Sequence, residues 1–187
     1  DLTTNTQPVM LVAGVACYRA WRAEGGAEPA ALAGHSLGEY SALVAAGALT
    51  MRDAAPLVRF RAQAMQDAVP VGAGAMAAIL GLDAQSVRDV CHELAAASGE
   101  VVEAVNFNDP KQTVIAGSKA GVEKACEALK AKGAKRALPL PVSAPFHSSL
   151  MRPAAERLKE RLAATPIEAP RIPGVNNIDV EGGSDPG

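Results

Sequence analysis

The apolar positions of the first 69 residues combine helical spacing with one short continuous run. Helical spacing over residues 8–24 predicts a helix, with Thr6 as a candidate N-cap, Pro8 in the first turn and Gly25 at the C-terminal stop. The continuous apolar run at 30–33 predicts a short strand. This part of the chain should therefore fold as a helix followed by a strand.

A second helical stretch follows that strand, with apolar positions near helical spacing at Leu37, Tyr40, Leu43, Val44 and Leu49. Thr50 predicts the start of a third helix, because Asp53 stands three residues further on, as in a capping box. Pro56 falls inside this helix. Since proline lacks a backbone N–H, it indicates a kink or a late start.

Residues 70–143 have a different pattern, in which short predicted strands and helices alternate around an Asp109-Pro110 turn. Their order, β-α-β-β-α-β, is the ferredoxin-like pattern. We therefore expect an α/β protein in which residues 70–143 form a compact ferredoxin-like subdomain inserted into a body made of 1–69 and 144–187. The predicted elements are strand 74–82, helix 84–97, strands 101–108 and 112–116, helix 119–132 and strand 135–142, then a helix at 148–164, an extended stretch at 171–180 and a loose tail at 181–187.

Composition excludes several classes of function. The 18 basic and 20 acidic residues give a net charge of −2, which indicates no nucleic-acid partner. No apolar run approaches the roughly 20 residues of a membrane span, so we expect no membrane association. Cys17, Cys91 and Cys126 lack metal or redox spacing, and the three histidines are too scattered for a metal site. We therefore expect reduced, partly buried thiols in a cytoplasmic protein without a bound metal.

The segment Gly34-His35-Ser36-Leu37-Gly38 fits the G-x-S-x-G nucleophile elbow. An apolar strand precedes it and an amphipathic helix follows, which is the context that this tight turn requires. Ser36 would lie at a helix N-terminus, and the N–H of Leu37 would be one oxyanion donor. A chance occurrence of the five residues in a purely structural turn is the alternative.

A serine hydroxyl needs a base at neutral pH, and His147 is the candidate. It follows the last predicted strand of the subdomain, in a loop of the kind where catalytic groups tend to lie. The alternative is a capping or solvated loop histidine. His35 is expected to form a wall of the elbow, and His92 to lie on a helix surface.

Arg61 shares one helical stripe with Leu57, Ala64, Met65 and Ala68. A cation on an apolar stripe is costly unless an anion pairs with it. Either an intramolecular salt bridge satisfies Arg61, or its partner is a substrate carboxylate held by the bidentate guanidinium fork.

Several segments together resemble the malonyl-CoA:acyl-carrier-protein transacylases of bacterial fatty-acid synthesis. The resemblance covers essentially the whole chain in the right order. The matching segments are Thr6-Gln7-Pro8, Gly34 through Leu43, Arg61 through Gln66, Gly74 through Ala78, Val105 through Asn108, Leu138 through Ser143, and Val175-Asn176-Asn177.

The resemblance implies roles for individual residues. Ser36 would carry the acyl group, His147 would be its base and Arg61 would hold the malonyl carboxylate. Met65, Met76 and Val142 would line the pocket, and Phe146 resembles the signature of malonyl-type acyltransferases. The implied fold is an α/β-hydrolase-like body with a ferredoxin-like insert. Malonyl-CoA would be a substrate, acyl carrier protein the partner, and no cofactor would be bound.

Two departures from the family pattern stand out. The Gly-Gln-Gly-Ser-Gln loop, whose glutamine supplies the second oxyanion donor, has no counterpart here, and the family continues beyond Val175-Asn176-Asn177 with a carbonyl that orients the histidine. We therefore expect a chain truncated at both ends and impaired on its own.

Three other functions compete with this interpretation. A serine esterase of the α/β-hydrolase class needs an acid between Ser36 and His147, where Asp83, Asp89 and Asp109 fall. A non-catalytic module that docks a carrier protein would have no use for the serine–histidine pair. An acyltransferase domain of a polyketide synthase is the third alternative.

Overall fold

The computed structural model describes residues 2–142, 144–178 and 180–183. They have a mixed α/β fold and form two compact units. The Ser36 unit contains Thr4–Ala62 and the chain from Leu158 onward. The His147 unit contains Gln63–Arg157 together with the chain up to Thr3. The predicted subdomain boundaries at 70 and 143 stay a prediction.

Six α-helices and seven strands are found in the described residues. In chain order they are α1 (Thr3–Ala23), β1 (Leu32–Ala33), α2 (Gly38–Ala45), α3 (Met51–Asp67), β2 (Gly74–Leu80), α4 (Ala84–Ser98), β3 (Val102–Asp109), β4 (Gln112–Ser118), α5 (Lys119–Ala131), β5 (Arg136–Pro139), a 3₁₀ turn (Ser149–Met151), α6 (Arg152–Ala163), β6 (Gly174–Val175) and β7 (Gly182–Gly183).

The Ser36 unit contains a small sheet of order β1-β6-β7. Strands β1 and β6 are parallel, and β7 pairs antiparallel with β6. The core beside this sheet is helical and includes Leu11 and Val15 of α1, Tyr40 of α2, and Leu57 and Val58 of α3. The short strand β1 thus leads directly into α2, with the predicted elbow between them.

The His147 unit contains an antiparallel sheet of order β3-β4-β2-β5 with helices α4 and α5. Its elements follow the predicted β-α-β-β-α-β order, which is therefore confirmed. The core joins sheet residues Ile79 and Ile115 to helix residues Val87 and Leu129. These four side chains are fully buried.

Helix α1 begins at Thr3, so the predicted start at residue 8 and the N-cap at Thr6 are wrong. Pro8 lies inside the helix and cannot donate to the carbonyl of Thr4, four residues earlier. The structure satisfies that carbonyl differently, because Nη1 of Arg59 donates to the Thr4 oxygen across 3.0 Å. A contact that is remote in sequence therefore allows the proline inside the helix.

Helix α3 begins at Met51, so Pro56 does not delay its start. The predicted cap is present in altered form: the Asp53 N–H donates to Oγ1 of Thr50 across 3.2 Å, and the Thr50 hydroxyl donates to the Asp53 carboxylate.

Two predicted extended segments are shorter than expected. Strand β5 ends at Pro139 rather than at 142, and Pro141 beyond it has no N–H to donate to a ladder. Among the described residues of the stretch 171–180, only Gly174–Val175 (β6) form a strand. The tail is not loose at β7, which pairs with β6, whereas residues 184–187 lie outside the described residues.

Candidate active site

Ser36 lies in the turn between β1 and α2 with a φ of 52°. This left-handed conformation is rare for a residue other than glycine and is costly unless the surroundings impose it. The strand, the turn and the helix predicted for a nucleophile elbow are all present. The side chain of Ser36 is partly buried.

The first glycine of the motif has a steric reason. A Cβ built on Gly34 would collide with the backbone of Gly38 and Glu39, so only glycine fits this turn. Gly38 differs, because a Cβ there would meet nothing within 4 Å. The two glycines of the pattern therefore have unequal structural importance.

Helix α2 presents its N-terminus to this turn. Leu37 is the N-cap residue, and no side chain caps it. The N–H groups of Gly38 and Glu39 donate back to the carbonyls of His35 and Ser36. Within the described residues, no acceptor is found for the Leu37 N–H, which leaves it suited to bind developing negative charge.

Arg61 is the charged residue of the site and is 8% exposed. Its Nη2 donates to Oγ of Ser36 across 3.0 Å, and its Nη1 donates to Oε1 of Gln7. The guanidinium carbon lies 5.6 Å from the centre of the Tyr40 ring. Among residues 2–142, 144–178 and 180–183, no carboxylate forms an ion pair with Arg61. The salt-bridge alternative is therefore wrong for the part of the chain that the structure describes.

Burial shapes the electrostatics around the guanidinium. Desolvation lowers the pKa of Arg61, although the nearby Tyr40 and Glu39 act in the opposite direction. Desolvation also raises the pKa of Glu39, opposed by the backbone amide of Asn177 and by the Arg61 charge. The Tyr40 pKa is raised by burial as well. The Arg61 cation is therefore poorly solvated, and an anion would pair with it more strongly than in water.

Two residues of the site were missed by reasoning from the sequence. Gln7, which received no role from its sequence position, is 7% exposed and accepts the Arg61 hydrogen bond. Asn177 accepts the backbone N–H of Ser36 through Oδ1 across 3.1 Å. Both fall in segments that resemble the transacylases, and this was the signal that could have found them.

His147 lies in a turn of the His147 unit, where it is exposed and has a φ of 65°. Its neighbours anchor the turn, because Ala144, Pro145 and Ser148 are buried and the Ser148 hydroxyl donates to the Pro145 carbonyl across 2.7 Å. Pro145 also packs against Gly74, where a Cβ would collide with the proline ring. The local structure therefore fixes the backbone that carries the imidazole.

The predicted pocket residues lie in three different environments. Met76 is buried in an apolar cluster against which Phe146 packs, so the structure brings these two residues together. Met65 is buried in α3. Val142 is 37% exposed and lies with Met76 beside an open cavity of about 440 Å³.

The remaining candidates have simple environments. His35 and His92 are both exposed. Cys91 and Cys126 are buried free thiols, whereas Cys17 is exposed, contrary to the expectation that it is partly buried. Within the described ranges, no group of His, Cys, Asp or Glu could hold a metal ion, and no helix is long and apolar enough to cross a membrane.

A serine in a left-handed strand-to-helix turn, with a buried guanidinium on its hydroxyl and beside it an N–H for which the described residues offer no acceptor, has the geometry that an acyl-accepting nucleophile needs. Residues 1–183 match the family described as "Acyl transferase domain", and the chain belongs to this family.

The chain is similar to particular transacylases. It is 58% identical over 179 residues to the malonyl CoA-acyl carrier protein transacylase of Escherichia coli strain K12, covering 96% of this chain. It spans 57% of the length of that protein.

Solved structures give the same relationship. The acyl-carrier-protein S-malonyltransferase from Burkholderia pseudomallei 1710b matches with a TM-score of 0.95 and 70% identity, covering 100% of this chain and 60% of that one. A malonyl-transacylase solved in complex with its type II PKS acyl-carrier protein matches with a TM-score of 0.95 and 50% identity. The match covers 99% of this chain and 59% of that one.

Proposed function

We propose that the chain carries the nucleophile and the carboxylate-binding residue of an enzyme that transfers malonyl from malonyl-CoA to acyl carrier protein in fatty-acid synthesis. The observation that carries this proposal is the hydrogen bond from buried Arg61 to the Ser36 hydroxyl. It places a fixed cation beside the atom that would become acylated. The names of the relatives support the choice of malonyl as the acyl group.

The proposed transfer has two steps. Oγ of Ser36 attacks the thioester carbon of malonyl-CoA, its proton passes to His147, the carbon–sulfur bond breaks, and the CoA sulfur leaves with the proton from His147. The phosphopantetheine thiol of the carrier protein then gives its proton to His147 and attacks the carbonyl carbon of the malonyl-serine ester. The carbon–oxygen bond to Ser36 breaks, and Oγ of Ser36 takes the proton from His147. The Leu37 N–H stabilises the oxyanion in each step. The chemistry requires no resident cofactor, and malonyl-CoA is a substrate.

Arg61 supplies selectivity in this scheme. Two carboxylate oxygens match the guanidinium fork, and a malonyl group bound there would replace the Ser36 hydroxyl on Nη2 as the serine becomes an ester. We propose that Met65, Met76, Val142 and Phe146 line the acyl pocket. The packing of Phe146 against the Met76 cluster supports the assignment for that pair.

The finer fold assignment is also a proposal. We propose that residues 70–143 are a ferredoxin-like subdomain inserted into an α/β-hydrolase-like body. The sheet order β3-β4-β2-β5 with two helices supports the first part, and the parallel pairing of β1 with β6 beside the elbow supports the second. A cytoplasmic location likewise remains a prediction from the cysteine pattern.

The esterase alternative lacks support from its candidate acids. Asp83 caps α4 by accepting the Ser86 N–H across 2.8 Å, and Asp109 accepts the N–H of Lys111 across 2.9 Å. Asp89 accepts a hydrogen bond from Gln85. Each carboxylate thus has a local structural partner.

Transfer is tested with radiolabelled malonyl-CoA and holo acyl carrier protein. The proposal predicts label on the carrier protein with the unmodified enzyme and none with Ser36→Ala. Release of free malonate without carrier labelling would indicate an esterase. Labelling by the Ser36→Ala variant would rule out the assigned nucleophile.

A further inference from the structure

Two loops meet at one edge of the small sheet in the Ser36 unit. Strands β1 and β6 are parallel, with Ala33 opposite Val175. The elbow follows Ala33, and the Asn176-Asn177 loop follows Val175. Because the carboxyl ends of parallel strands lie at the same edge, both loops are held side by side.

Asn177 makes a direct contact with the nucleophile. Its Oδ1 accepts the backbone N–H of Ser36 across 3.1 Å. Ser36 has a φ of 52°, a conformation that persists only where the surroundings fix it. The hydrogen bond holds the peptide group on the N-terminal side of the strained residue. It also occupies the Ser36 N–H, so the oxyanion donor of the elbow is the Leu37 N–H.

The loop that presents Asn177 is itself held in place. Oδ1 of Asn176 accepts the N–H of Ile178 across 3.0 Å, and the Asn176 N–H donates to the Glu181 carbonyl across 3.1 Å. Strand β7 then pairs with β6. The two neighbouring asparagines therefore differ in role: one shapes the turn and the other reaches the elbow.

We propose that Asn177 is a positioning residue that fixes the Ser36 backbone for attack. This inference deepens the proposed function and rests on it through Ser36 as the nucleophile. Asn177 contacts a backbone group rather than the reacting oxygen, so its loss should change the rate of acylation and leave malonyl binding by Arg61 intact.

The experiment compares Asn177→Ala and Asn177→Ser with the unmodified protein. Two rates are measured: malonylation of Ser36 by malonyl-CoA, and labelling of Ser36 by a fluorophosphonate, in which Oγ bonds to phosphorus and fluoride leaves. We expect Asn177→Ala to slow both by roughly 10–100-fold, the cost of misplacing a nucleophile by a fraction of an ångström or more. The Kd for malonyl-CoA should stay unchanged. Asn177→Ser, which retains an acceptor oxygen, should recover part of the rate.

The matched control is Asn5→Ala, an exposed asparagine of the same unit on α1. Wild-type rates in Asn177→Ala would overturn the inference, as would equal loss of rate, substrate binding and melting temperature, since that pattern indicates a merely structural role. Fluorophosphonate labelling without malonylation of the unmodified protein would instead refute the proposed function.

Discussion

The guanidinium of Arg61 donates to the hydroxyl of Ser36 across 3.0 Å, although the two residues are 25 positions apart in the chain. This hydrogen bond connects the proposed nucleophile to the residue proposed to bind the free carboxylate of the acyl group. It forms because α3 places Arg61 on its apolar stripe and the elbow holds Ser36 at the start of α2.

Replacing Arg61 by alanine should remove malonyl transfer selectively. Losing one partner of a desolvated arginine–carboxylate pair costs roughly 2–5 kcal/mol. Malonyl transfer should therefore fall on the order of 10²-fold or more. Transfer of acetyl, which has no carboxylate, should fall far less. Steady-state rates with malonyl-CoA and acetyl-CoA check this, and equal losses with both would mean that Arg61 is only structural.

A carboxylate at position 7 should compete with the malonyl carboxylate for Arg61. In the Gln7→Glu variant, a carboxylate would replace the amide oxygen that accepts from Arg61, and the resulting buried ion pair would occupy the cation. The KM for malonyl-CoA should rise by roughly tenfold or more, the equivalent of about 1.4 kcal/mol. Gln7→Met, similar in size but neutral, is the control. An unchanged KM in Gln7→Glu would show that the malonyl carboxylate binds elsewhere.

The two glycines of the elbow should respond differently to substitution. Gly34→Ala forces a Cβ into the backbone of Gly38 and Glu39, and overpacking of this kind costs about 1–3 kcal/mol or more. Gly38→Ala meets open space and should change stability by about 0.5 kcal/mol at most. Melting temperatures of the two variants test this contrast, and a tolerant Gly34 with an intolerant Gly38 would contradict the structure.

This contrast shows what the sequence could and could not predict. The G-x-S-x-G pattern located the elbow, and its flanks predicted the strand and helix correctly. The pattern could not rank the glycines, because their difference depends on how closely the chain passes itself. The same holds for Gln7 and Asn177, whose partners Arg61 and Ser36 are brought near only by tertiary packing.

The predicted start of α1 was wrong for a related reason. Proline at position 8 marks a first turn when only local rules apply. The structure satisfies the carbonyl that Pro8 leaves free with Arg59, a residue of α3. Elements of the His147 unit were predicted better because they alternate strictly and carry local caps, as at Asp83 and Ser118.

The buried thiols give a prediction of pH dependence. Burial raises the pKa of Cys91 from 9.0 to about 12, so the folded state holds a proton that the unfolded state releases. The free energy of unfolding is therefore unaffected by this pKa difference below pH 9.0, and it falls as the pH rises from there toward about 12. Urea unfolding at several pH values, with Cys91→Ala as the reference, measures the effect. A stability that rises over this interval only when Cys91 is present would contradict it.

In the proposed reaction, Ser36 carries the malonyl group. The most direct measurement is mass spectrometry of the protein after brief incubation with malonyl-CoA and acid quenching, followed by peptide mapping. We expect one malonyl group on the peptide that contains Ser36, and none on the Ser36→Ala variant. A malonyl group on Cys17 or on any other residue, with labelling that persists in the variant, would contradict it.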